Sequence, residues 1–352
     1  MSRRAFAIGR GLGAAALWLG AAAALPAQTS GPKGISFDFF PLPVSYSQPK
    51  GIAAGPDGAL WFAEYNNNKI GRISLSGVIT EYAVPTVVSC PYSITAGPDG
   101  ALWFTEYHGN KIGRITTAGA VTEFALPTLS AFPLGITTGP DGALWFTESA
   151  TNNIGRITTA GAFVEYAIPT QPAGAYNIVT GPDGNLWFTE EAGSNIGQIT
   201  PTGVVTEFPL PSQGSLPSAI VKGPDDGLWF TEFAGNKIGR SDTSGNIVEY
   251  QVPSGPGYPQ GLTLGSDGAL WFTEGAVTNR IGRITVDGAI TEYPLAPQMP
   301  PAASTTGYKP TATPYPGWLA TGPDGAIWFT ESIGAIVRFS APTAASKVRR
   351  PL

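Results

Sequence analysis

A ten-residue motif recurs seven times in this 352-residue chain, and the spacing of its copies restricts the fold more than any other feature. The copy at residues 97–106 reads GPDGALWFTE, and close copies begin at Gly55, Gly139, Gly181, Gly223, Gly265 and Gly322. The first six copies are 42 residues apart, whereas 57 residues separate the sixth from the seventh. Regular spacing of this kind is typical of repeat architectures.

Each copy belongs to a unit that reads as four short strands. In the second unit, residues 92–96 (YSITA) form a β-rich run, GPDG a turn, ALWFTE a second run, KIGRI a third and AVTEFALP a fourth. The turn residues support this division, since Pro98 presets φ for a type I turn and Gly100 accepts the left-handed conformation that closes a three-residue hairpin.

The alternation within ALWFTE makes both faces of that strand largely apolar, so each sheet must be packed between two others. Sheets of four strands with a period of about 42 residues match the blades of known propellers. We therefore predict an all-β fold, a seven-bladed β-propeller with four-stranded blades.

The two ends of the repeat region predict how the ring closes. Residues 35–43 (ISFDFFPLP) resemble the fourth strand of a unit but precede the first full copy, and the last copy stops at IVRFS without a fourth strand. The N-terminal segment is therefore expected to complete blade seven, which removes exposed sheet edges that invite aggregation. We place the propeller at residues 34–340 and a C-terminal tail at residues 341–352.

The first residues are typical of an export signal. Arg3 and Arg4 precede an apolar, Gly/Ala-rich run at residues 11–25, and a cleavage point follows Ala27. The segment SRRAFAI resembles a bacterial twin-arginine signal, with an ordinary Sec signal as the alternative. We expect residues 1–27 to be removed and the mature protein to be periplasmic or secreted. No later run is long and apolar enough to span a bilayer.

Charge and cysteine content restrict the partners. The formal net charge is −5 and Lys and Arg cluster only at the termini, so neither nucleic acid nor an anionic membrane is expected as a partner. Cys90 is the only cysteine and cannot form an internal disulfide, so an exported chain depends on its core for stability. We expect Cys90 to be a small buried side chain and the protein to be a monomer.

One rim of the propeller, which we call the top rim, is expected to carry any ligand site. It holds the starts of the inner strands, the linkers between blades and the loops after a recurring glutamate. This glutamate could serve as a ligand for a bound cation. In the favoured interpretation it is a structural residue that pairs with a third-strand cation such as Lys111 or Arg114. Its copies are Glu64, Glu106, Glu148, Glu190, Glu232, Glu274 and Glu331.

An asymmetric ligand needs residues that differ between copies. At the place held by Lys50 in blade one, later blades carry Tyr92, Leu134, Tyr176, Ser218, Gln260 and Gly317, and two positions earlier the blades carry Gln48, Cys90, Phe132, Gly174, Leu216, Tyr258 and Tyr315. This aromatic and polar lining suits a small organic or peptide ligand, and the alternative is that it only fills the axial channel. The candidate ligand-binding residues are Lys50, Tyr92, Tyr176, Tyr258, Gln260, Tyr315 and Trp318.

Two further features lie on the same rim. His108, the only histidine, follows Glu106 by two residues and is, with Lys50, a candidate catalytic base, although a loop histidine is more often a solvated residue. The longer last gap places a segment rich in Pro, Thr and Ala at residues 297–314. This segment would be either a lid over the channel or a stretch without regular structure.

The patterns P-x-G-I-x-x-G-P-D-G-x-L-W-F-T-E, N-K-I-G-R-I-T and G-x-I-T-E-Y-x-x-P together resemble the virginiamycin B lyase family, also called streptogramin B lyases, over about residues 34–340. The resemblance implies a Mg²⁺-dependent carbon–oxygen lyase that opens the ester of a cyclic depsipeptide antibiotic by elimination, and hence a role in antibiotic resistance. It also implies a histidine base, and glutamates that hold Mg²⁺ against the developing enolate.

The chain departs from the family pattern at the start of the last inner strand. Where the family has Glu-Pro-His-Gly-Ile, residues 315–319 read YPGWL. Gln260 stands where a second histidine is expected, and Glu331 is the one counterpart of a metal-binding glutamate. Two interpretations follow: a lyase homologue in which Lys50 or His108 acts as base on another substrate, and an exported propeller that binds a peptide, glycan or small molecule without chemistry.

Overall fold

The computed structural model describes the backbone of residues 27–30 and the whole of residues 35–275, 278–295 and 315–340. The predicted export signal apart from Ala27, the segment at residues 297–314 and the tail at residues 341–352 lie outside the described residues. The described part consists of strands, turns and connecting loops, and it contains no helix that could cross a membrane.

Twenty-nine strands make up the described fold. In the first half of the chain they are β1 Ala27–Ser30, β2 Ser36–Pro41, β3 Pro49–Ala54, β4 Leu60–Glu64, β5 Lys69–Ile73, β6 Ile79–Ala83, β7 Pro91–Ala96, β8 Leu102–Glu106, β9 Lys111–Ile115, β10 Val121–Ala125, β11 Pro133–Thr138, β12 Leu144–Glu148, β13 Asn153–Ile157 and β14 Phe163–Ala167. In the second half they are β15 Ala175–Thr180, β16 Leu186–Glu190, β17 Asn195–Ile199, β18 Val205–Pro209, β19 Pro217–Lys222, β20 Leu228–Glu232, β21 Lys237–Ser241, β22 Ile247–Gln251, β23 Pro259–Leu264, β24 Leu270–Glu274, β25 Arg280–Ile284, β26 Ile290–Pro294, β27 Pro316–Thr321, β28 Ile327–Glu331 and β29 Ala335–Ser340.

These strands form seven sheets around one axis. In six of them four consecutive strands, such as β7 to β10, run in chain order from the axis outwards, each antiparallel to its neighbour. The inner strands β3, β7, β11, β15, β19, β23 and β27 contact one another in that order, and β27 contacts β3. The predicted seven-bladed β-propeller is therefore confirmed.

The seventh blade is completed by the N-terminal strand, as predicted. β2 pairs with β29 in antiparallel register along its whole length. In addition, β1 pairs with β2 and gives this blade a fifth, outermost strand that the sequence analysis does not predict. Phe37 and Phe39 of β2 are buried, and the Phe37 ring centroid lies 5.2 Å from that of Phe339. The two ends of the propeller thus share one hydrophobic cluster.

The core of the described residues consists of seven clusters, one between each pair of neighbouring blades. The second strand of every blade is buried on both faces. Trp103 of β8 packs with Leu144 and Phe146 of the next blade, whereas Phe104 packs with Trp61 of the preceding one. The apolar residues of ALWFTE therefore serve two blade interfaces at once, as the sequence predicts.

The aspartate of the Gly-Pro-Asp-Gly turn ties three elements together at the bottom rim. In blade two, Trp103 Nε1 donates a hydrogen bond to Asp99 Oδ1 over 3.0 Å, and Arg114 Nε donates one to Asp99 Oδ2 over 2.6 Å. The Arg114 guanidinium carbon also lies 6.0 Å from the centroid of the Trp103 ring. One carboxylate thus fixes the turn, the second strand and the third strand, which explains why it recurs.

Candidate functional site

The top rim is built by linkers that lead from the outer strand of one blade to the inner strand of the next. Two positions before the Lys50 equivalent, φ is positive in six blades: Gln48 46°, Cys90 52°, Phe132 49°, Gly174 62°, Leu216 53° and Tyr258 48°. Non-glycine residues adopt this left-handed region rarely. Because the conformation recurs around the ring, it belongs to the repeated linker and does not single out one catalytic position.

Threonines fix the backbone at the start of the inner strands. Thr147 Oγ1 accepts a hydrogen bond from Gly135 N in its own blade over 2.9 Å and donates one to Tyr176 O in the next blade over 3.0 Å. Thr231 Oγ1 donates in the same way to Gln260 O over 2.9 Å. The candidate side chains are therefore carried by a backbone that neighbouring blades stabilise jointly.

The recurring glutamates do not pair with the third-strand cations, so the favoured interpretation of their role is wrong in that respect. Glu106 lies directly opposite Lys111 in the register of β8 and β9, yet Lys111 Nζ binds Glu123 of the outer strand over 2.8 Å. The Glu123 side chain is 14% exposed whereas Glu106 is fully buried, so the ion pair with Glu123 costs less desolvation. Arg114 and its equivalents bind the turn aspartates.

In three blades the recurring glutamate instead binds the loop that follows it, whereas both carboxylate oxygens of Glu106 and of Glu232 have no hydrogen-bond partner among the described residues. Glu64 Oε2 accepts a hydrogen bond from Asn67 over 3.0 Å, and Glu148 Oε2 accepts one from Thr151 over 2.7 Å. Burial raises the pKa of each recurring glutamate, and in six blades the outer-strand carboxylate of the same blade adds to the effect. The pKa is raised to about 7 at Glu64, Glu148, Glu190, Glu232 and Glu274 and to about 8 at Glu106 and Glu331.

A cavity of about 530 Å³ opens at the top rim over blades one to four. Three of the predicted residues, Lys50, Tyr92 and Tyr176, line it together. Small-molecule sites in proteins have volumes of about 300–1,000 Å³. The structure thus brings part of the predicted lining into one space large enough for a ligand. We call this space the top-rim cavity.

The top-rim cavity also contains residues that the sequence analysis missed. Tyr65, Tyr107, Ser149 and Glu191 line it, and each directly follows a recurring glutamate. The residue at this position differs from blade to blade. The copy-by-copy comparison that selects the inner-strand residues would therefore have selected these as well.

Three of the aromatic candidates form one cluster. The hydroxyl oxygens of Tyr92 and Tyr176, on blades two and four, are 2.6 Å apart and share a hydrogen bond. The Trp318 ring stacks on Tyr176 at 6.0 Å and meets Tyr92 edge-on at 6.2 Å. Burial raises the pKa of Tyr176 to about 12 and that of Tyr92 well above its ordinary value. Both phenols stay protonated at neutral pH, so the cluster offers rings and hydroxyl groups.

Lys50 brings a positive charge to the top-rim cavity. Its Nζ atom lies 5.9 Å from the ring centroid of Tyr65 and 5.8 Å from that of Tyr92, within reach of a cation–π contact. Burial lowers the pKa of this amine. Glu191 brings a carboxylate to the same cavity from blade four, and burial raises its pKa. The cavity is therefore basic on the side of blade one and acidic on the side of blade four.

Gln260, Tyr315 and Trp318 meet in a second, much smaller cavity between blades six, seven and one. Its volume is about 10 Å³, and Lys50 and Gly317 also line it. A space of that size holds about one water molecule. The structure therefore gathers these three candidates beside Lys50 but leaves little room between them.

Glu331, the predicted metal ligand, lines neither cavity. It is 3% exposed, and its Oε2 atom has no hydrogen-bond partner among the described residues. Its raised pKa means that the carboxyl group is mostly protonated at neutral pH. Within residues 35–275, 278–295 and 315–340, no group of three or more His, Cys, Asp and Glu side chains is placed to hold a metal ion.

Two of the candidates lie elsewhere on the rim. Tyr258 packs on Phe233, with ring centroids 5.2 Å apart, and lines neither cavity. His108 is exposed, and its ring lies 4.9 Å from that of Tyr107. Neither residue lines a cavity with Lys50. The two candidate bases, His108 and Lys50, therefore do not lie in one site.

The sequence model described as Virginiamycin B lyase family matches residues 14–180 and 136–309 of the chain. The chain belongs to the virginiamycin B lyase family. Among solved members of the virginiamycin B lyase family, the selenomethionine-substituted enzyme from Staphylococcus aureus is 39% identical, with a TM-score of 0.79 over 87% of this chain and 99% of that one. A streptogramin B lyase structure is 37% identical, with a TM-score of 0.81 over 89% of this chain and 100% of that one.

A third solved structure concerns a catalytically inactive variant of virginiamycin B lyase from Staphylococcus aureus, crystallised with quinupristin. It is 38% identical, with a TM-score of 0.79 over 87% of this chain and 99% of that one. In that family member, an alanine in place of one histidine accompanies the loss of catalysis. The chain described here has a single histidine, the exposed His108.

Proposed function

We propose that this member of the virginiamycin B lyase family is a ligand-binding propeller that does not catalyse the family's elimination. It binds a small organic or peptide ligand in the top-rim cavity. One observation carries the proposal: Gly317 and Tyr315 occupy the positions that the resemblance assigns to the base and to the first metal ligand, beside the packed Trp318 ring.

The elimination needs a group that removes a proton beside a carbonyl and a second group that stabilises the enolate charge. Around Gly317 the described side chains include an amide at Gln260, a phenol at Tyr315 and an indole at Trp318. None of these three accepts a proton readily at neutral pH. Lys50 is the one amine nearby, so the lyase interpretation depends on it.

The residues around Gly317 do not fit Mg²⁺ as a cofactor. Mg²⁺ takes octahedral oxygen ligands and usually keeps several waters. Glu331, the glutamate that the resemblance assigns to the metal, is buried with a raised pKa, and Lys50 adds a positive charge to the small cavity beside Gly317. That space, about 10 Å³, admits about one water molecule. We therefore assign no step to a metal ion.

Incubation with a streptogramin B antibiotic and Mg²⁺ tests this proposal, with ring opening followed by mass spectrometry. We expect no opening under conditions in which a lyase with the complete Glu-Pro-His motif is active, because the chain lacks the base that the motif supplies. Ring opening by the wild-type protein that is lost in Lys50→Met or Glu331→Ala would overturn the proposal and establish the lyase interpretation.

A thermal-shift screen of small organic molecules, glycans and peptides tests ligand binding. A ligand that binds only the folded state raises the melting temperature. We expect the shift to shrink in Tyr65→Ala, which alters the top-rim cavity, and to persist in Leu75→Ala, an exposed residue in a turn on the opposite rim. A ligand whose shift is the same in both variants would bind elsewhere.

We also propose that the protein is exported and monomeric. Residues 1–27 combine an arginine pair, an apolar run and an expected cleavage point after Ala27, which supports export. Closure of the ring by β2 leaves only outer strands as sheet edges, which supports a monomer. Cell fractionation with N-terminal sequencing, and light scattering of the mature protein, test the two statements. An uncleaved cytoplasmic chain, or a stable dimer, would contradict them.

A further inference from the structure

Lys50 differs from every other cation in the described part of the chain. All other lysines and arginines in residues 35–275, 278–295 and 315–340 form an ion pair with Asp or Glu. Lys50 instead faces the top-rim cavity, with the Tyr65 and Tyr92 rings beside its Nζ atom. Partly burying an ammonium group without a counter-ion is unfavourable, and a cation–π contact offsets only part of that cost. An anionic group of a ligand would supply the missing partner.

Glu191 has the complementary character on blade four. It forms no ion pair with any described residue, whereas the adjacent Glu190 accepts a hydrogen bond from Asn195 over 2.8 Å. Neither carboxylate oxygen of Glu191 forms a hydrogen bond with another described residue, and the side chain lines the same cavity as Lys50. A ligand cation would offset the cost of holding this carboxylate in a half-buried position.

The two charges do not neutralise each other, because Lys50 and Glu191 are three blades apart and form no ion pair. A ligand that contacts both must therefore span the cavity. Tyr65, Tyr107 and Leu134 line the space and suit apolar or aromatic groups. A single amino acid carries both charges on one carbon, whereas an extended peptide separates its termini by up to about 3.3–3.6 Å per residue.

We propose that the ligand of the top-rim cavity is a short peptide with free termini. Its carboxylate binds Lys50, its ammonium group binds Glu191, and its side chains lie against the rings of Tyr65 and Tyr107. Binding is reversible and forms no covalent bond. This inference rests on the proposed function, since it requires that the cavity binds a ligand, and it adds the chemical class of that ligand.

Calorimetric titration with defined tripeptides tests the inference. The probes are Ala-Phe-Ala and Ala-Leu-Ala, each with free termini, with an acetylated amine or with an amidated carboxyl group. We expect either cap to weaken binding at least about tenfold, the usual scale for losing one charged hydrogen-bonded partner. Lys50→Met should weaken binding of the peptide with free termini by a similar factor, and it should not weaken binding of the amidated peptide any further. Glu191→Gln should likewise weaken binding of the peptide with free termini but not that of the acetylated peptide.

Lys222→Met is the matched control, because Lys222 is a lysine at the bottom end of β19 that pairs with Asp226 and lies outside the cavity. It should bind every peptide as the wild type does, and circular dichroism should show that all variants are folded. Equal binding of free and capped peptides, or equal losses in all three variants, would overturn the inference. If the tripeptides fail to bind while other molecules bind in the cavity, the inference fails and the proposed function stands. If no molecule binds there, both fail.

Discussion

Replacing Phe37 with alanine is expected to lower the free energy of unfolding by about 3–5 kcal/mol, the usual cost of removing a buried phenylalanine ring. Phe37 is fully buried in β2, 5.2 Å from the Phe339 ring, in the cluster that joins blades six and seven. This residue therefore anchors the strand that closes the ring. Chemical denaturation followed by tryptophan fluorescence measures the effect, because the buried tryptophans report on every blade interface.

The control for Phe37→Ala is Val164→Ala. Val164 is an apolar residue of the outer strand β14 and is 44% exposed, so its truncation should change the free energy of unfolding by no more than about 0.5 kcal/mol. If both substitutions had the same small effect, the N-terminal strand would not close the propeller in solution. The sheet of blade seven would then end at β29, with an edge open to other chains.

The fold is predictable from the sequence because the same motif occurs seven times and each copy predicts the same local structure. Every copy carries a close variant of the apolar alternation in ALWFTE and of the Gly-Pro-Asp-Gly turn. A strand assignment that would be ambiguous in one copy is therefore supported by the other six. The incomplete last copy also identifies the strand that closes the ring. The fifth strand β1 was not predictable, since residues 27–30 (AQTS) show no apolar alternation and their pairing depends on the neighbouring β2.

The site is only partly predictable. The repeat shows where a residue lies along its strand, but it does not show which of several nearby side chains that residue contacts. Lys111 shows this, since it lies between two carboxylates and its preference for Glu123 depends on solvent exposure, which the sequence does not state. The same limit applies to Tyr258, which occupies the expected rim position yet packs on Phe233 outside the cavity. The sequence analysis does not select Glu191, because that residue directly follows Glu190, a recurring glutamate interpreted as structural.

The stability of the protein is expected to be greatest at about pH 5 and to fall as the pH rises toward 8. The recurring glutamates have pKa values raised by burial to about 7 or about 8, above the ordinary 4.5. A carboxyl group with a higher pKa in the folded state binds protons more strongly when folded. The stability that it contributes is therefore complete below the unfolded pKa and is lost as the pH rises through the folded pKa.

The turn aspartates have the opposite effect on the pH dependence of stability, because they make the protein less stable at low pH. Burial alone would raise the pKa of Asp99, but hydrogen bonds from Trp103 and Arg114 lower it below the ordinary 3.8. The stability that the turn aspartates contribute is present above their unfolded pKa and is lost as the pH falls through their folded pKa. Equilibrium denaturation at a series of pH values should thus show a maximum between these two limits.

Glu331→Gln isolates the alkaline side of this dependence. Phe39 holds in β2 the register position that Glu123 holds in β10, so Glu331 has no outer-strand carboxylate beside it and burial alone raises its pKa to about 8. Since glutamine does not ionise, the variant should lose less stability than the wild type between pH 5 and pH 8, by on the order of a few kcal/mol. Asp287→Asn, in an exposed turn, should leave that difference unchanged. If Glu331→Gln and the wild type lost stability in parallel over this range, the Glu331 carboxyl group would be ionised in the folded protein, and burial would not control its titration.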